Sequence, residues 1–138
     1  MALQDLEVAL TRLISTSRRY LAERAASVLE GMRPSELAVL VTVSSVSPAS
    51  VTHIAATLEI DRAASSRVLR KLHAAELVER APSLADKRSV LVRVSPLGRS
   101  RLAQARNLAT ARLRNLLSDH TTEDLNIHLQ MMRSLTRA

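Results

Sequence analysis

The chain has 138 residues, 46 % of them hydrophobic and 24 % charged, which fits one globular domain spanning 1–138 and excludes wholesale disorder. It has no cysteine and only two glycines, which excludes disulfides, thiolate metal sites and Gly-rich phosphate loops. The net charge of +7 is concentrated: residues 61–101 hold ten basic and four acidic groups, so they carry +6 and the rest of the chain +1. A localised positive field suits a polyanion such as nucleic acid; a solvated arginine-rich surface is the other reading. The longest aliphatic run, about Leu37 to Val43, falls far short of the roughly 20 residues of a membrane helix. The first residues lack the basic and apolar segments of a secretory signal. A soluble, cytoplasmic protein without membrane contact is the expectation.

Leu3, Leu6, Leu10, Leu13, Ile14, Ser17, Tyr20, Leu21 and Val28 recur at spacings of three and four, which predicts a long helix over 3–29. Gly31 suits the C′ position after it. Pro34 at N1 and Glu36 at N3 open a second helix running to about Val46, with Arg33 a poor N-cap. Ser47-Pro48-Ala49 is a break. Ser50 caps a short third helix, Val51 to Leu58, and Asp61 caps a fourth ending near Ala75. The period then changes to two: Val78 and Arg80, then Val90, Val92 and Val94, predict a hairpin with a polar tip over 82–88. Ser95 and Pro96 are the N-cap and N1 of a fifth helix reaching about Leu117. Thr121 or Thr122 caps the last helix. Two short helices, a tight turn and a hairpin describe a mainly α winged helix-turn-helix at 34–95. The long flanking helices of 1–30 and 96–138 carry apolar stripes that a two-fold partner would cover as a dimerisation region.

On a helical projection, Val68, Leu72, Ser65 and Leu69 form the buried stripe of the fourth helix. Arg62, Ala63, Ser66, Arg67, Arg70 and Lys71 lie on or beside the opposite face. A helix entering a major groove wants small residues for close approach, serine for phosphate or base edges, and arginine for guanine. The bland reading, an ordinary exposed face, would intersperse glutamates at i,i+4. At the hairpin tip, Asp86-Lys87-Arg88 offers an arginine for a minor groove, with Asp86 placed to hold it by a charge-assisted hydrogen bond. An aspartate that merely favours the turn is equally compatible with the spacing.

The runs Ile54-Ala55-Ala56-Thr57-Leu58-Glu59-Ile60-Asp61-Arg62, Ser66-Arg67-Val68-Leu69-Arg70-Lys71-Leu72 and Leu77-Val78-Glu79-Arg80 resemble the MarR (multiple antibiotic resistance regulator) family of transcription factors. The most specific match is Asp86-Lys87-Arg88 followed by an aliphatic strand and Ser95-Pro96-Leu97-Gly98, similar to the family's wing signature. The resemblance implies a homodimer joined through its first and last two helices. It implies that helix 61–75 reads the major groove and that wing 82–89 reaches the minor groove through Arg88, held by Asp86. It also implies release of DNA by a small, often aromatic, acidic or phenolic effector. Tyr20 is the only ring here able to stack on such a ligand, and a packing role is its alternative. Glu59 and Glu76 stand where the family usually has glycine. Left-handed geometry at either would cost about 1 kcal/mol.

None of His53, His73, His120 and His128 lies three or four residues from another, and no nucleophile elbow is present, so no metal, cofactor or enzymatic activity is expected. The expected function is a homodimeric regulator, a repressor, binding double-stranded DNA at a pseudo-palindromic operator. The alternative is a basic architectural or protein-interaction dimer without sequence specificity.

Overall fold

The computed structural model describes residues 1–83, 85 and 90–137. The elements are α1 (Ala2–Val28), α2 (Pro34–Val46), β1 (Ala49–Ser50), α3 (Val51–Leu58), α4 (Arg62–Ala74), β2 (Val78–Pro82), β3 (Val90–Val94), α5 (Pro96–Leu116) and α6 (Thr122–Thr136). The chain divides into two compact units, Met1–Arg106 and Asn107–Ala138.

The core of the first unit is aliphatic. Val28 of α1, Val39, Leu40 and Val43 of α2, Ile54 of α3, Leu72 of α4 and Leu77 are essentially inaccessible to water. Each such side chain contributes about 1.5–3 kcal/mol relative to exposure. With no Phe or Trp available, the packing relies on branched aliphatics that interdigitate at short range. Ala105 of α5 is buried in the same core, and Leu102 packs against it. Upstream of Ala25, α1 has no fully buried residue, and Leu3, Val8, Leu13, Ile14 and Leu21 are exposed.

The sheet is antiparallel in the order β1-β3-β2. Val78 opposes Val94 and Arg80 opposes Val92, so period-two alternation turns Val78, Val92 and Val94 into the core. Pro82 ends the edge strand β2, where its missing N–H breaks no central ladder. The break expected at Ser47-Pro48-Ala49 runs into β1: Ala49 and Ser50 pair with Val92 and Leu91. A two-residue strand has no periodicity to read, so only its partner reveals it.

Three caps have the expected chemistry. Ser50 Oγ accepts from the His53 N–H at 3.1 Å, Asp61 Oδ1 from the Ala64 N–H at 2.8 Å, and Ser95 Oγ from the Gly98 N–H at 2.9 Å. Arg33 is capped differently. Its side chain has only donors, and the cap is the Glu36 carboxylate, which accepts from the Arg33 backbone N–H at 2.9 Å. Gly31 does take a left-handed φ of 76°, two residues beyond the α1 cap Leu29 and thus one place later than expected.

Both glutamates at the family's glycine positions are left-handed, Glu59 at φ 53° and Glu76 at φ 60°. The Glu59 turn lets the Ile60 N–H reach the Ala55 carbonyl, and the Glu76 turn lets the Leu77 N–H reach the Leu72 carbonyl. The second turn is fastened by Ser95, whose buried hydroxyl donates to the Glu76 carbonyl while accepting from Gly98. Gly98 is there because a Cβ would stand 2.1 Å from the Leu77 carbonyl oxygen and 2.7 Å from Val94 Cγ1.

The second unit holds the remainder of α5 and α6. Of the two threonines, Thr121 is the N-cap: its Oγ1 accepts from the Asp124 N–H at 3.1 Å, and Asp124 Oδ2 accepts from the Thr121 N–H at 2.8 Å. The Thr121 hydroxyl, donating to Asp124 Oδ2 at 2.7 Å, and then the Thr121 N–H hold the Asp124 carboxyl below its ordinary range. No residue of α6 is fully buried, and Leu113, Leu116, Leu125, Ile127, Leu129 and Leu135 are exposed within this unit.

Candidate nucleic-acid interface

The turn of the helix-turn-helix and the Asp61 cap set where α4 begins, and its apolar stripe sets how it is rolled. Ser65 and Leu72 are fully buried, Leu69 nearly so, and Val68 packs against the core. That stripe leaves Arg62, Ala63, Arg67 and Arg70 exposed, with Ser66 half-buried at the margin. Among the described residues Arg62, Arg67 and Arg70 make no ion pair, so their charges face outward uncompensated. The first turn of α4 contains no acid, and Lys71 and His73 fall in its last turn.

Lys71 is exposed along its stem, but its ammonium sits 2.8 Å from Glu36 Oε2 on α2. Glu36 is buried, with a side chain 4 % exposed. Burial pushes its pKa up, but hydrogen bonds from Lys71 and Arg33, together with the Lys71 charge, outweigh that and leave the carboxyl below its usual value.

Two depressions flank α4. One, about 550 Å³, lies between α2 and α4 and is lined by Arg33, Glu36, Val39, Ile60, Arg67, Val68 and Lys71, among others. The other, about 200 Å³, lies between α4 and the hairpin, where Ser66 and His73 face Arg80, Val90 and Val92. Arg80, a strand residue by its place in the alternation of 78–82, is an exposed cation on β2 beside α4 and adds to the cations expected on the helix. Arg93, also exposed, is paired with Glu79 across the ladder at 3.0 Å. Asp86, Lys87 and Arg88 of the wing lie outside the described residues. Tyr20 is half-buried on α1, well upstream of the interface in sequence.

A mainly helical chain with a three-stranded antiparallel sheet, a helix-turn-helix and a hairpin is a winged helix-turn-helix protein. The MarR family model matches residues 30–89, a stretch that includes α2, β1, α3, α4 and β2. Solved structures share the fold across nearly the whole chain. The MarR family transcription regulator SP03579 aligns with a TM-score of 0.81 at 24 % identity, over 98 % of this chain and 90 % of its own. RV1404 from Mycobacterium tuberculosis aligns with a TM-score of 0.83 at 20 % identity, over 99 % and 92 %. Streptococcus pneumoniae FabT, solved in complex with DNA, aligns with a TM-score of 0.79 at 14 % identity, over 98 % and 95 %. A search of curated proteins by sequence finds no match. The chain therefore has the fold of the MarR family transcription regulators, and its central region carries the family's sequence pattern. No helix among the described residues is long and apolar enough to cross a membrane.

Proposed function

We propose that the protein is a sequence-specific, DNA-binding transcription regulator that acts as a homodimer on a pseudo-palindromic operator and represses by occupying it. The observation that carries this reading is the outward face of α4. Arg62, Arg67 and Arg70 are exposed and without ion pairs among the described residues, around the small residues Ala63 and Ser66. A face of that kind lets a helix approach base edges closely while guanidinium groups meet guanine or phosphate. FabT, of the same fold, is a structure in complex with DNA, which supports the docking of this fold on a duplex.

In this reading α4 lies in the major groove and wing 82–89 in the minor groove, with Asp86 orienting Arg88 and Lys87 beside it. The dimer covers the apolar residues of α1, α5 and α6. Release by a small-molecule effector, with Tyr20 as a stacking ring, belongs to the same proposal.

Selection of bound fragments from the native genome, followed by affinities for a selected and a scrambled duplex at one salt concentration, tests the function. A ratio of about 10³ or more is expected of an operator-binding regulator. A ratio near one would instead identify an architectural DNA-binding protein. Arg70→Ala should relax the preference at one base position of each half-site if that guanidinium reads guanine.

A further inference from the structure

Glu36 gathers four donors at the N-terminal end of α2. Its Oε2 accepts from Lys71 Nζ at 2.8 Å and from the Arg33 N–H at 2.9 Å. Its Oε1 accepts from Arg33 Nε at 3.2 Å and Nη2 at 3.1 Å. Lys71 Nζ also lies 3.5 Å from the Gly31 carbonyl oxygen. Lys71 thus joins α4 to both the α1–α2 connection and α2, 35 positions away from Glu36 in sequence.

The two cations on this carboxylate differ. Arg33 has a side chain 72 % exposed and is local to Glu36, so it closes the cap of its own helix. Lys71 comes from the helix whose outward face is the candidate interface. A lysine stem is long enough to turn to a phosphate, but doing so would leave a buried carboxylate with Arg33 alone.

We propose that Glu36 is a positioning residue for the interface: it holds the Lys71 ammonium inward, so that Lys71 locks α4 against α2 and makes no phosphate contact. This rests on the DNA-binding reading of α4. The phosphate and base contacts of the helix then fall to Arg62, Arg67 and Arg70, and Lys71, although it belongs to the same basic run, is removed from them by an acid the sequence places on another helix.

The salt dependence of binding to a mixed-sequence DNA duplex separates the roles, because each phosphate contact contributes about 0.9 to the slope of log K against log salt. Lys71→Gln should weaken binding while leaving the slope at its wild-type value. Glu36→Gln should free the ammonium and steepen the slope by about 0.9 for each bound α4. The double variant should return to the wild-type slope. A slope flattened by Lys71→Gln to the extent seen for Arg62→Ala would overturn the proposal and make Lys71 a phosphate contact, as would an unsteepened slope in a folded Glu36→Gln protein. Thermal melts without DNA test the lock itself: the double variant should lose less than the sum of the single losses. Additive losses would overturn it. Failure of the wild type to bind any duplex would instead defeat the DNA-binding reading, and the melts would still decide whether Glu36 and Lys71 are coupled.

Discussion

Ser65 is a serine where the projection of α4 calls for an aliphatic side chain, and its hydroxyl is fully buried with no hydrogen-bond partner among the described residues. Burying an unpaired hydroxyl costs about 1–3 kcal/mol. Ser65→Ala removes it at little change in volume, so chemical denaturation should show a gain of about 1 kcal/mol. Glu76 is a second local compromise. It holds φ at 60° with a side chain in solvent. Glu76→Gly relieves the left-handed strain but adds chain entropy to the unfolded state, for a net gain of no more than about 0.5 kcal/mol in the same measurement. Gly98 stands at the other extreme. A methyl group there meets backbone, which cannot rotate away as a flexible side chain could. Gly98→Ala should lower stability by about 3 kcal/mol, read from the shift in denaturation midpoint. A loss under about 0.5 kcal/mol would show that the first turn of α5 moves away from the Leu77 backbone more easily than the clash of an added Cβ implies.

At the scale of elements, α2 responds to pH through Glu36. Its carboxyl titrates below the ordinary 4.5 in the folded state. The group therefore adds stability that is complete above the unfolded-state value and is lost as pH falls through the folded value. Melting temperature should drop as the solution is acidified through that window, and Glu36→Gln should flatten this part of the profile. An unchanged acid limb would assign it to other carboxylates. The same element marks the boundary of what the sequence discloses. Caps at Ser50, Asp61 and Ser95, the strands around Val78 and Val92, and the roll of α4 are local or periodic, so they can be read from neighbouring residues. Glu36 was legible as an acid at N3, in the favourable half of a helix dipole. That it is buried, and that its partner is Lys71, depends on how α2 and α4 pack, which no local spacing encodes. Strand β1 escaped for the same reason, since its only signal is β3. The outward set Arg62, Ala63, Arg67 and Arg70, with Ser66 at its margin, was legible because burying Leu69 and Leu72 fixes the opposite face.

For the molecule as a whole, exposed leucine and isoleucine recur in both units: Leu3, Leu13 and Ile14 in the first, Leu116, Leu125 and Ile127 in the second. A chain on its own rarely leaves so much aliphatic surface in water. Sedimentation at micromolar concentration should therefore give one dimeric species, with its interface drawn from about 3–29 and 100–137. A stable, folded monomer would overturn the homodimer. Within the first unit, the hydroxyl of Ser95 is a pivot pin. One of its hydrogen bonds goes to the loop that ends α4 and the other to the first turn of α5. A tilt of that first turn cannot be absorbed where the pin sits, because Gly98 is already against the Leu77 backbone. The Ser95 N–H also bonds the Leu77 carbonyl at 3.0 Å, so the start of α5 is riveted at two adjacent points to the loop that ends the helix carrying the arginines.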